Sequence, residues 1–251
     1  MIKPIKKLGQ NFLVDKKISE KLVSYLCVES GDTIIEIGPG KGALTSILVS
    51  KSPLESKIIA VEIDERFIRL LNLKFTPKTN VKIVHANILD YLPTFKCEKK
   101  LKIIGALPYY ITSPILHSVI KMNPQPEIAV FVVQKEVGEK VANIKNKMNY
   151  LAAFIQAFYD VTYLGVIKKE KFDPVPSVDS AIIKLTKNEV HLTHSNINEY
   201  EDFLHSKFKH PKKMINKVFT KEELSEYSVS GELRPHEIDI KTWLNLFRAS
   251  K

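Results

Sequence analysis

Between about Ile18 and Leu185, short apolar runs alternate with longer amphipathic stretches. No other feature limits the possible folds of this chain as strongly. The runs "DTIIEIG", "KIIAVEID", "VKIVHANIL", "LKIIGALPYY" and "IAVFVVQKE" each read as a strand apolar on both faces. Such strands need cover above and below, and helices between them make neighbouring strands parallel. The stretches Ile18 to Cys27, "GALTSILVSK" and "ERFIRLLNLKF" supply apolar residues at helical spacing. The expectation is an α/β, Rossmann-like sheet. Two later strands, in "DVTYLGVIKK" and "SAIIKL", are joined by "EKFDPVPSVD" and would close the sheet as an antiparallel tail.

Composition shifts after Leu185. "TKNEVHLTHSN" reads as a polar linker, and the pattern beyond it is helical as far as "IDIKTWLNLFRAS", which holds the single Trp. This predicts a first domain over 1–189 and a small C-terminal all-α domain over 190–251. No apolar run approaches the roughly 18 residues of a membrane span, and the N-terminus lacks the apolar core of a signal peptide. Cys27 and Cys97 stand alone, without metal-ligand spacing, which fits a reducing cytoplasm and no structural metal. The formal net charge is +10. A chain this basic often meets nucleic acid, although basic composition also occurs without a polyanionic partner. Lys207, Lys209, Lys212, Lys213 and Lys217 crowd one short stretch with no acid among them, and Lys3, Lys6 and Lys7 form a second cluster. Lysines so placed would contact RNA phosphates; singly, each is as well explained as a solvated surface side chain.

"EIGPGKGALT" follows the first long strand and opens a helix. Gly38 and Gly40 would let the backbone turn tightly and approach a ligand at the strand's C-terminal edge. Glu62 ends the next strand, 24 residues after Gly38. An acid there can accept hydrogen bonds from a ribose diol. The pair predicts an adenosine-bearing cofactor, either NAD or S-adenosylmethionine. Leu107-Pro108-Tyr109 separates the two. Hydride transfer has no use for such a loop, whereas methylation of an amino group does. The exocyclic nitrogen of adenine is a poor nucleophile, because its lone pair is delocalised into the ring. Acceptors that take hydrogen bonds from the NH₂ aim that lone pair at a sulfonium methyl. Proline fixes the loop, and Tyr109 offers a stacking face. An ordinary turn with a packed Tyr remains the plain alternative.

The chain resembles the small-subunit rRNA adenine N6,N6-dimethyltransferases nearly end to end. The resemblance runs through "KKLGQNFLVD", "EIGPGKGALT", "AVEID", "LPYYITSPIL", "VVQKEV", "FDPVPSVDSAI", "FKHPKKMINKVF" and "LRPHEI". It implies a class I methyltransferase sheet, S-adenosylmethionine as cofactor, and rRNA of an immature small subunit as partner to a monomer. It implies that Gln10, Asn11 and Leu13 border the cofactor, with Gly38, Gly40, Glu62, Ile63, Asn87, Ile88 and Ala106. It also implies that Phe172 sandwiches the target adenine against Tyr109. Two positions depart from the family pattern. Asn87 stands where the family has Asp on the cofactor's adenine. Ala106 stands where the family has Asn, whose oxygen would grip the target N6. A deliberate replacement and a natural loss of catalysis would both account for Ala106; the intact remainder of the site favours the first. Two readings stay open beside the main one. One is a large-subunit, erythromycin-resistance type of methylase. The other is a non-catalytic assembly or transcription factor on the same fold.

Overall fold

The structure, a computed structural model, describes residues 4–5, 9–75, 78–188 and 192–250. The chain opens with a two-residue strand β1 (Phe12–Leu13) and helix α1 (Lys16–Ser24), which begins where the Asp15 carboxylate accepts from the Ile18 N–H. There follow β2 (Thr33–Ile37), α2 (Ala43–Lys51), β3 (Lys57–Glu62), α3 (Glu65–Phe75), β4 (Val81–His85), α4 (Ile88–Tyr91), β5 (Leu101–Ala106), α5 (Thr112–Ile120) and β6 (Ile128–Gln134). The later elements are α6 (Lys135–Val141), α7 (Tyr150–Gln156), β7 (Tyr159–Ile167), β8 (Phe172–Asp173), β9 (Ser180–Lys187), α8 (Ile197–Phe208), α9 (Lys221–Glu226) and α10 (Ile240–Ala249).

The five apolar runs form five parallel strands in a seven-stranded sheet of order β4-β3-β2-β5-β6-β9-β7. All five residues of β2 are buried, as expected of a strand covered on both faces. The antiparallel tail forms as well: β9 runs against β6, pairing Ser180 with Gln134 and Thr186 with Ile128. Helix α5 falls in a stretch the apolar pattern leaves unassigned. Ile115, Leu116, Val119 and Ile120 give it a buried face, and Pro114 sits in its first turn, where a missing N–H costs nothing. The β1–β8 ladder is also unanticipated. It pairs Phe12 with Asp173 and Leu13 with Phe172.

The chain divides into two compact units. One comprises 1–138 with 162–186, the other 139–161 with 187–251. The first holds the parallel strands. The second is built around aromatic side chains: Tyr200 lies 5.0 Å from Phe247 and 6.1 Å from Phe158, and Phe208 stacks on Trp243 at 4.9 Å. It draws in α7, a segment the sequence reading leaves with the first domain. Ala152, Ala153, Phe154 and Ile155 of this helix are all buried. The boundary expected at 189/190 lies outside the described residues, as do Lys3, Lys6 and Lys7. No helix among the described residues is long and apolar enough to cross a membrane.

Candidate active site

A cavity of about 510 Å³ is lined by residues at the C-terminal ends of β2, β3 and β5. Here the neighbours of β2 part to either side, β3 on one flank and β5 on the other. In open α/β sheets such a parting leaves a crevice for ligands. The turn after β2 is left-handed at Gly38 (φ +65°) and Gly40 (φ +53°). A Cβ on Gly40 would lie 2.6 Å from the Phe12 ring, so only glycine lets that ring rest on the turn.

Glu62, at the end of β3, is buried and ties this region together. One carboxylate oxygen accepts from the Gly40 N–H at 2.9 Å; the other accepts from the Ile63 and Asp64 N–H groups, each at 2.9 Å. Burial raises its pKa, although all three N–H groups pull the other way. A carboxylate has about four acceptor positions, so about one remains for a ligand hydroxyl. Asp64 shows no ligand-facing signal in the sequence, yet it organises the rim. It accepts from Gln10 Nε2 at 2.8 Å and pairs with Arg66 at 2.7 Å, and Arg66 brings its carboxyl down to about 2. Gln10 also accepts from the Ile5 N–H at 2.8 Å, which leaves it fixed at the cavity wall. Asn11, Leu13, Ile63, Asn87 and Ile88 line the same cavity. The Asn87 side-chain oxygen caps α4 by accepting from the Leu89 N–H at 3.1 Å. That leaves Asn87 with one oxygen lone pair and two amide donors for a ligand.

Ala106, Leu107, Pro108, Tyr109 and Phe172 line it too. Ala106 is the last residue of β5 and pairs with Val132 of β6. The Leu107 N–H donates to the Val132 carbonyl at 2.9 Å. The Pro108 carbonyl accepts from both the Ile111 N–H at 3.2 Å and the Thr112 hydroxyl at 3.1 Å, so the turn itself takes up this acceptor. The Tyr109 hydroxyl lies 2.7 Å from the Ser180 hydroxyl at the start of β9, and burial pushes its pKa up. Phe172 reaches the cavity because β8 pairs with β1. Two ion pairs brace that ribbon: Lys171 to Asp15 at 2.7 Å, and Lys41 of the glycine turn to Asp173 at 3.2 Å.

One group here was missed altogether. Glu36 of β2 is 1 % exposed, and neither carboxylate oxygen has a hydrogen-bond partner. Thr45 lies beside it, its own hydroxyl also unpartnered. Burial first, with nearby Glu62 adding to it, raises the Glu36 pKa to about 7. An acid inside the apolar run "TIIEI" was the available signal.

In the second unit, Lys209, Lys212, Lys213 and Lys217 are exposed on the stretch after α8. Lys207 differs from them. Its ammonium donates to the Val218 carbonyl at 2.6 Å and lies 4.1 Å from the centre of the Phe219 ring. Burial lowers its pKa, so it serves the packing of this unit and is not presented with the other four. Among the described residues no group of three or more His, Cys, Asp or Glu could hold a metal.

The sequence profile of the family "Ribosomal RNA adenine dimethylase" matches residues 2–249. The "Ribosomal RNA small subunit methyltransferase A" of a Sulfurihydrogenibium species is 35% identical over 252 residues, covering 98% of this chain and 96% of its own. The protein of the same name from Mycoplasma capricolum is 35% identical over 262 residues, covering 98% and 97%. Among solved structures, the 23S rRNA methyltransferase ErmE superposes with a TM-score of 0.79 at 25% identity, covering 95% of this chain and 98% of its own. A dimethyladenosine transferase from Plasmodium falciparum gives 0.77 at 22% identity, covering 94% and 95%, a likeness of fold.

Proposed function

This chain belongs to the ribosomal RNA adenine dimethylase family, and we propose that it dimethylates adenine N6 in small-subunit ribosomal RNA with S-adenosylmethionine as methyl donor. One observation carries the proposal. A single cavity unites the glycine turn and Glu62 with Tyr109 and Phe172. The former suit a nucleoside; the latter suit a flat base. The small-subunit assignment is supported by relatives near 35% identity over almost the whole chain. The large-subunit enzyme ErmE shares the fold at lower identity.

The residues present fit the cofactor. It carries a ribose diol, and the buried Glu62 at the cavity wall keeps about one acceptor position open beside the glycine turn. When bound, it would supply an electrophilic methyl on sulfur. Glu62 would hold the ribose with its remaining acceptor position. Asn87 and Ile88 would border the adenine, and Gln10, Asn11 and Leu13 would wall the site. Tyr109, anchored by Ser180, would present its ring to the target base, with Phe172 as the second ring. The chain's work is positioning, since in-line displacement at a methyl needs alignment more than it needs a base. The methylated amine is itself acidic and can release its proton to water.

Residue 106 is where this machinery falls short. The Ala106 side chain offers no acceptor for the target N6, and the Pro108 carbonyl is engaged within its own turn. Backbone carbonyls of Ala106 and Leu107 would then be what remains to accept from the amino group. The protein would hold cofactor and RNA while turning over slowly. Losing one positioned hydrogen-bond partner typically costs on the order of 10²–10³ in rate. Ala106→Asn should recover about that factor on immature small subunits, with RNA affinity little changed. Equal rates for the two proteins would refute the role given to residue 106. They would favour the second reading that Ala106 supports, an RNA-binding factor without turnover.

A further inference from the structure

We propose that Tyr110 is a stacking platform for the unpaired base next to the target adenine, an inference that rests on the reading above. Its ring lines the cavity, yet the residue is 58% exposed. It directly follows Tyr109, whose hydroxyl is held by Ser180. Gly9 packs against the ring. A Cβ on Gly9 would lie 2.9 Å from Tyr110 Cδ1, 3.0 Å from Cε1 and 3.6 Å from Pro108 Cβ. Gly9 itself has φ +59°, which favours glycine, so backbone lies against ring with no side chain between them. Gly9 thus lies close against the Cδ1–Cε1 part of the ring, and more than half of the residue stays exposed.

The chemistry of the substrate explains such a ring. A base entering the cavity leaves its stack, but its flanking nucleotides stay joined to it by phosphodiesters. They are kept at the mouth, unpaired and with a face exposed. Aromatic side chains are the usual means of holding such bases, and they do so with little regard to base identity. Tyr109 and Tyr110 would therefore divide the work. The first receives the target, and the second holds its neighbour so that the strand enters at a fixed angle. Tyr110 is a positioning residue, and its ring rather than its hydroxyl carries the effect.

The test measures binding of immature small ribosomal subunits, so it does not depend on turnover. Tyr110→Ala should weaken subunit binding on the order of 5- to 150-fold, the range expected for one base–aromatic stack. Tyr110→Phe and Tyr110→Trp should bind like the unsubstituted chain. Affinity for S-adenosylmethionine, by calorimetry, should be unchanged in all three, which also reports that the cavity is intact. Three results would each overturn the inference: undiminished subunit binding by the Ala variant, a Phe variant as weak as the Ala variant, or a parallel loss of cofactor affinity. Methyl transfer is scored separately, in the Ala106→Asn protein. Transfer with ring-independent binding defeats this inference alone. Ring-dependent binding without transfer defeats the methylation reading and leaves the platform standing.

Discussion

Replacing Glu36 by Gln should remove a loss of stability that the cofactor-free protein otherwise suffers as pH rises from about 4.5 toward 8. The Glu36 carboxyl is buried, with Thr45 beside it as the nearest donor but outside close hydrogen-bond geometry; burial outweighs Thr45 and holds its pKa at about 7 against an ordinary 4.5. The folded protein therefore keeps this proton up to about pH 7, while the unfolded chain releases it near 4.5. Below 4.5 the group costs nothing; as pH rises toward 7 and above, folding stability is lost. The gap of about 2.5 units, at 1.36 kcal/mol per unit, is roughly 3 kcal/mol. Glu62 and Lys74 act on Glu36 in opposite senses, the first raising and the second lowering its pKa. Neither is altered by the substitution. A buried Gln amide without partners carries its own cost of about 1–3 kcal/mol, but that cost is the same at every pH. The quantity to compare is thus the fall in unfolding free energy between pH 4.5 and pH 8, for the two proteins side by side. Urea titrations followed by far-ultraviolet circular dichroism would give it. Trp243 fluorescence would not, since that residue belongs to the second unit. The unsubstituted chain should lose roughly 3 kcal/mol more across the interval than Glu36→Gln. Parallel pH profiles would refute the reasoning and mean that Glu36 finds a partner in solution.

Glu62→Ala should weaken S-adenosylmethionine binding in calorimetry, and should also loosen the glycine turn, because Gly40, Ile63 and Asp64 lose their shared acceptor. Unchanged affinity would move the ribose contact elsewhere. Reversing three of the exposed lysines Lys209, Lys212, Lys213 and Lys217 to Glu should lower affinity for the small subunit and flatten its dependence on salt. An identical salt slope would count against phosphate contact by this stretch.

Strands β2, β3, β5 and β6 were legible because burial on both faces leaves continuous apolar runs, whereas β4, also expected to be covered on both faces, is the edge strand and has no buried residue. The glycine turn and Glu62 were legible because their spacing follows from one strand–turn–helix unit. What stayed hidden depends on partners far along the chain. Nothing local to Phe12-Leu13 announces a ladder with Phe172-Asp173, and two-residue strands carry no periodicity. Lys207 looked like its neighbours on charge alone; only the folded unit turns its ammonium toward Val218 and Phe219. The sequence likewise presents α7 as a continuation of the first domain, although its apolar surface is consumed among the helices of the second unit. Tyr110 was passed over because it sits beside Tyr109, and exposure, which sets the two apart, is not written in residue type.

The β1–β8 ladder has a consequence for how the protein is made. Phe12 and Leu13 are synthesised long before their partners Phe172 and Asp173, which come only after the five parallel strands and β7. Until then the glycine turn and Glu62 can assemble, and Gln10 and Phe12 can rest on Asp64 and Gly40, but β1 has no strand to pair with. Closing so long a loop is entropically costly, and that cost must be met before the ladder's few contacts stabilise it. The Phe172 side of the cavity is therefore completed only after every parallel strand has been made. A chain interrupted before Phe172 would keep most of its sheet and lack a finished site, so cofactor binding reports completed folding more faithfully than secondary structure does.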